Sequence, residues 1–196
     1  MLRATTNEPA WLVGSSQGGL LALDLALTEP RLVAGLILLA PAVSGAPDPP
    51  DEGLDAATRR LSDAIDEAHG AGRIDEVNEL EVRLWLDGPA GPAGRVSGPP
   101  RALALDMNAI ALRSGAPEDA GQSGLDAWSA IEEIQAPTTL AWGDLDIPFI
   151  ITRCQTLANR LPNLSTTQVL TGNAHLPYLE QPQRVTELIA HAVGLP

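Results

Sequence analysis

Five residues near the start of the chain, Gly14-Ser15-Ser16-Gln17-Gly18, constrain the fold more than any other stretch. They lie between an apolar run, Trp11-Leu12-Val13, and a strongly apolar segment from Gly19 to Leu27 that carries a single charge, Asp24. The first run reads as the end of a buried strand and the second as a helix. A GxSxG pentapeptide in that setting predicts a tight strand-to-helix turn with Ser16 at its apex, where side chains at the flanking glycine positions would collide. Such a turn aims the Gln17 backbone N–H at a developing oxyanion, at the positive end of a helix dipole.

A serine at such a turn becomes a nucleophile only if a base removes its proton and an acid holds that base in one tautomer. In a triad carried by a parallel sheet these groups sit at later strand ends, in the chain order Ser, Asp, His. Acid candidates lie in Thr138-Thr139-Leu140-Ala141-Trp142-Gly143-Asp144-Leu145-Asp146-Ile147-Pro148, a strand signal running into a glycine turn with two carboxylates. The base candidate, His175, lies in Gly172-Asn173-Ala174-His175-Leu176-Pro177, directly after a strand-like run from Thr166 to Leu170. His69 and His191 fall in charged helical patterns and read as solvated helix residues.

Ser16 in GxSxG, Asp146 in Gly143-Asp144-Leu145-Asp146-Ile147-Pro148, and His175 ahead of Pro177 and Glu180 resemble the α/β-hydrolase superfamily. The likeness covers Trp11 to about Val43, with Ala40-Pro41 ending the strand after the elbow helix, and then Ile134 to the C-terminus. It implies Ser16 as nucleophile, His175 as general base and then acid, and Asp146 as the orienting carboxylate. The family pattern selects Asp146, three residues past the glycine and followed by an apolar residue and proline. Asp144 is the runner-up acid, otherwise a turn carboxylate capping the next helix, and Asp48 is a weaker substitute. The implied fold is α/β: the C-terminal half of an α/β-hydrolase sheet, mostly parallel, with flanking helices and a helical cap insertion. Residues 1–44 and 126–196 would form the core and residues 45–125 the cap. Arg73 to Pro89, with Leu84-Trp85-Leu86-Asp87-Gly88-Pro89, is similar to caps of small bacterial esterase- and lactonase-like hydrolases.

The chain departs from the family pattern before the elbow. Members normally have four earlier strands, and their first half supplies a loop, often with His-Gly, that donates the second oxyanion N–H. Met1 to Pro9 hold no such motif. Loss of one oxyanion donor typically costs about 2.7–4 kcal/mol of transition-state stabilisation, so impaired catalysis is expected. The elbow strand would become an edge, and pairing with another chain or poor solubility is expected there. The same feature motivates a second expectation, a catalytically silent hydrolase-like module that serves in interaction or assembly.

Composition narrows the chemistry. All 12 basic residues are arginine, which removes Schiff-base, Walker-type and Ser-Lys chemistry. The single cysteine, Cys154, excludes an internal disulfide, and its spacing with Ile150, Leu157 and Leu161 makes it a buried thiol on a helix. A net charge of −13 repels nucleic acid and anionic membranes. No phosphate loop, metal motif or cofactor signature is present, and none is expected. The longest apolar stretch, Leu32 to Val43, is too short to span a membrane, and no secretory signal is visible, so a cytoplasmic location is expected. In the middle, Leu54, Ala57, Leu61, Ile65 and Ala68, then Ile74, Val77, Leu80 and Leu84, fall at helical spacing around a Gly70-Ala71-Gly72 joint. A loop or hinge from Asp87 to Pro100 precedes a third helix around Leu103, Met107 and Ile110, with Trp85 and Met107 read as core. The function expected is hydrolysis of a small-molecule carboxylic ester or lactone through an acyl-serine. Dehalogenation is disfavoured, because an aspartate would stand where this chain has Ser16.

Overall fold

Two strands without polar alternation set the middle of the sheet. In the computed structural model, which describes residues 8–47, 49, 54–114 and 124–195, Val33–Leu39 and Thr138–Gly143 are almost wholly buried, as expected where parallel strands are covered on both faces. They form β2 and β3 of a four-stranded parallel sheet, with β1 (Ala10–Ser15) beside β2 and β4 (Leu164–Leu170) beside β3. Leu38 faces Gly14 on one side and Leu140 on the other, which fixes the register of the three strands. In β4, exposed positions alternate with half-buried ones up to Leu170, the period-2 signature of an outer strand. Among the described residues β1 is paired on one side only. Val13 on it and Leu21 on the following helix are 51% and 66% exposed.

The helices are α1 (Gln17–Thr28), α2 (Ala56–Gly70), α3 (Ile74–Val82), α4 (Pro99–Ser114), α5 (Pro148–Arg160), the single turn α6 (Pro177–Glu180) and α7 (Pro182–Ala192). One sheet face, through Leu36, Leu38 and Leu140, packs in a single cluster with Leu23 of α1 and Leu157 of α5. The opposite face, through Leu39, Ala141 and Leu170, packs on Val185 and Leu188 of α7. Burying such a leucine contributes about 1.5–3 kcal/mol, so these two clusters hold the layers together. Asp24, the lone charge in α1, is buried and accepts a hydrogen bond from the Ser44 hydroxyl at 2.9 Å. Cys154 is fully buried on α5, and burial, with the nearby charge of Asp146, pushes its thiol up. His69 and His191 are exposed in the last turns of α2 and α7.

Between β2 and β3, helices α2, α3 and α4 form a separate layer. Asp55 starts α2 by accepting the N–H groups of Ala57 at 2.9 Å and Thr58 at 3.1 Å, together with the Thr58 hydroxyl. Gly72, with φ 71°, supplies the left-handed turn before α3 that a side chain would resist. After α3 the chain widens into a π-helical turn, Arg83–Asp87. The periodicity around Leu103, Met107 and Ile110 does mark a helix, but its expected burial does not follow, because these residues are 48%, 54% and 65% exposed. The helix instead buries Ala104 against Val82 and Leu86. Alanine on both sides of α4 left two faces nearly equivalent in sequence, and the contact with α3 selects the narrower one. Among the described residues no helix is long and apolar enough to cross a membrane.

Candidate active site

All four strands are parallel, so every strand ends at the same edge of the sheet, the edge where open α/β sheets bind ligands. Ser16 follows β1 directly, Asp146 follows β3 in a short loop, and His175 follows β4 in another. The topology therefore brings the three candidates from distant parts of the chain to one side of the molecule.

Ser16 stands at φ 50°, ψ −117°, a region that L-residues avoid at a cost of about 1–3 kcal/mol. Two backbone bonds over-determine it: the Ser16 N–H donates to Leu39 O at 3.0 Å, and the Ala42 N–H donates to Ser16 O at 3.0 Å. Gly14 is required as expected, since a Cβ there would collide with the Gly18 carbonyl. The collision expected at Gly18 is absent, because a Cβ at that position meets nothing within 4 Å. The tight position is Gly19, where a Cβ would lie 2.5 Å from the Pro41 Cβ. Helix α1 thus passes close to the exit of β2, and that contact, rather than the second motif glycine, sets the angle of the turn. Gln17 is the first residue of α1, and its N–H has no acceptor among the described residues.

The acid and base candidates meet. The His175 Nδ1–H donates to Asp146 Oδ2 at 2.7 Å, with both residues buried, and the Ile147 N–H donates to the other carboxylate oxygen at 2.7 Å. A carboxylate can only accept, so Nδ1 carries the proton and Nε2 is left as the basic nitrogen. His175 is also held from the π-helical turn after α3: its N–H donates to Trp85 O at 3.1 Å, and the two rings lie 4.9 Å apart between centroids. The Ser16 hydroxyl makes no hydrogen bond to His175. In unliganded sites that contact is often long and tightens in the Michaelis complex.

Asp144 has a different partner from the helix cap expected of it. Its Oδ1 accepts the Gly172 N–H at 2.7 Å, tying the acid loop to the histidine loop. Asp48 lies outside the described residues. Tyr178, on α6, carries a phenol pushed up by burial and held down only in part by the nearby Ser15 hydroxyl, which is itself buried without a well-aligned partner. Sequence reasoning did not single out Arg95, whose guanidinium reaches the histidine loop from the segment before α4. Its only sequence trace is a lone arginine in a Gly/Pro-rich loop. Among the described residues no cluster of His, Cys, Asp and Glu could hold a metal ion.

Comparison with solved structures shows the same fold. A thermophilic esterase from Thermogutta terrifontis superposes with a TM-score of 0.65 at 22% identity, over 97% of this chain and 66% of that one. An enzyme described as degrading N-acyl homoserine lactones gives 0.62 at 23% identity, over 97% and 70%. A hydrolase from Pseudomonas aeruginosa gives 0.71 at 20% identity, over 98% and 68%. The chain therefore spans about two thirds of the length of the structures it matches. A comparison with curated protein sequences finds no match. The family model described as "Alpha/beta hydrolase family" matches residues 2–188, nearly the whole sequence, and with the parallel sheet and its elbow this shows that the chain belongs to the α/β-hydrolase family.

Proposed function

We propose that the chain carries the catalytic machinery of a serine hydrolase that cleaves a carboxylic ester or lactone through an acyl-serine intermediate. The observation that carries this reading is the buried 2.7 Å bond between His175 and Asp146, at the same sheet edge as the strained Ser16. His175 Nε2 takes the Ser16 proton as Oγ attacks the carbonyl carbon, and the resulting oxyanion receives the free Gln17 N–H. The imidazolium then protonates the leaving alkoxide, which in a lactone remains attached as a hydroxyacyl chain. Water, deprotonated by His175, attacks the acyl-serine, and Ser16 departs with the returned proton. Asp146 orients the imidazole and stabilises its charged form. The esterase and lactonase descriptions of the structural neighbours support an acyl substrate, and the shared scaffold does not choose among acyl groups.

A second reading is an interaction module without turnover, favoured by the pairing of β1 on one side only among the described residues and by the exposed Val13 and Leu21 beside it. Outer strands of this kind recruit further strands, a second copy of this chain included. Intact-mass labelling with a fluorophosphonate separates the two readings without a guess at the substrate. A single adduct on the folded chain, absent from Ser16→Ala, supports the hydrolase. No adduct on a folded chain supports the module, and labelling retained in Ser16→Ala overturns the assignment of the nucleophile.

A further inference from the structure

The loop that presents His175 is held at nearly every polar backbone group, and much of the hold comes from the layer of helices inserted between β2 and β3. Gly172 gives its N–H to Asp144, and its carbonyl accepts Arg95 Nη1 at 2.7 Å. Ala174, directly before the histidine, gives its N–H to Glu180 Oε1 at 2.8 Å. The other oxygen of Glu180 accepts Arg95 Nη2 at 2.6 Å, in a pair whose side chains are 18% and 3% exposed. Burial pushes the Glu180 carboxyl up, while Arg95 and the Ala174 N–H hold it down. The rest of the guanidinium bonds to the segment that touches His175 itself: Nε donates to Asp87 O at 2.9 Å and Nη2 to Leu86 O at 2.6 Å.

Arg95 is itself built in. Asp87, fully buried, accepts the N–H groups on either side of it, Gly94 at 2.8 Å and Val96 at 3.0 Å, and also Arg101 Nη1 at 2.9 Å. An arginine whose backbone is fixed by a buried carboxylate, and whose fork spans two loops, is a preorganised bracket. A point charge on a flexible stem could not reach the same acceptors together.

We propose that Arg95, acting with Glu180, is a positioning residue for His175, clamping the histidine loop to the Trp85–Asp87 turn so that cap and base form one rigid unit. The proposal rests on His175 being the base, and its test has an arm that does not need turnover. In the wild-type chain the His175 Nδ1 proton, bonded to Asp146, gives a resolved low-field NMR signal, and the Ala174 and His175 amides exchange slowly. In Arg95→Met that signal broadens through exchange with water and those two amides exchange at least tenfold faster, while amides of β2 are unchanged. Arg95→Lys restores part of the protection. Fluorophosphonate labelling of Ser16 slows about 100-fold in Arg95→Met, the scale of a displacement near 1 Å. If the wild-type chain does not label, the hydrolase reading fails while the proton signal still reports on the clamp. If Arg95→Met keeps the wild-type signal and exchange rates, the clamp is refuted. Should that variant not fold, Glu180→Gln, which keeps the acceptor and removes the charge, carries the same readouts and the same criterion.

Discussion

Alanine at Gly18 and at Gly19 should act with opposite sign, although the motif contains only the first of them. Both positions are helical, so each gains the propensity advantage of alanine over glycine, up to about 0.8–1 kcal/mol. At Gly18 the new methyl group meets nothing within 4 Å, and the gain stands alone. At Gly19 it would lie 2.5 Å from Pro41 Cβ and 2.9 Å from Pro41 Cα, where ordinary contact begins at 3.4 Å. About 0.9 Å of separation must be found, at an overpacking cost of about 1–3 kcal/mol. Propensity cancels in the comparison, so Gly19→Ala should be less stable than Gly18→Ala by that same amount. For a chain of this length the gap corresponds to about 2–12 °C in Tm, readable by circular dichroism melts of the two variants side by side. The displacement also bears on chemistry, because Ser16 O is bonded to the Ala42 N–H next to Pro41. Fluorophosphonate labelling should therefore slow in Gly19→Ala and stay within a few-fold of wild type in Gly18→Ala. Equal melting temperatures, or a lower one for Gly18→Ala, would refute the packing argument and return the constraint to the motif glycine.

Asp146→Asn should leave the fold intact and slow acylation of Ser16 by about 10⁴-fold, because an amide can hold His175 in the wrong tautomer; labelling kinetics on the folded variant measure it, and a loss under tenfold would remove Asp146 from the triad. Asp55→Ala should destabilise the chain by about 1 kcal/mol at neutral pH, through loss of the cap on α2. Burial opposes ionisation of Asp55, but the donors of Thr58 and Ala57 outweigh it and bring its pKa below the ordinary 3.8. A depressed folded value means the stabilisation is complete above that ordinary value and disappears as pH falls through the folded one. Urea midpoints of wild type and variant should thus converge in acid, and a constant difference down to pH 2 would exclude the charged cap.

The sheet was legible because its strands differ in kind. The unbroken apolar run of β2 ends at Ala40-Pro41, and the Thr138-Thr139-Leu140-Ala141-Trp142 run of β3, opened by Pro137, ends in the Gly143 turn, so each strand carries its own stop signal. The sequence pattern places the start of β4 at Thr166, whereas the strand begins at Leu164, with a register slip opposite Thr138 and Thr139; no local pattern announces a bulge of that kind. Ser16, Asp146 and His175 could be placed from turns and strand ends, since each sits within a few residues of its own signal. Arg95 could not: its acceptors at Gly172 and Glu180 lie 77 and 85 residues away, and its value depends on a loop path that only the packed chain defines. Met107 is exposed where its spacing implies burial for a related reason: helical spacing reports that a stripe exists and not which stripe meets a neighbour.

The way the Trp85–Arg95 segment grips the histidine loop bears on how such a protein can diversify. Caps are attractive cassettes for changing substrate range, since they are inserted at a single point between two strands. Here an exchange of residues 55–114 would remove the carbonyl that accepts the His175 N–H and the guanidinium that donates to the Gly172 carbonyl. A transplanted insertion would therefore disturb the loop that carries His175 as well. Substitutions on the exposed side of α4, at Leu103, Met107 and Ile110, leave that grip in place, whereas wholesale replacement of the inserted helices does not.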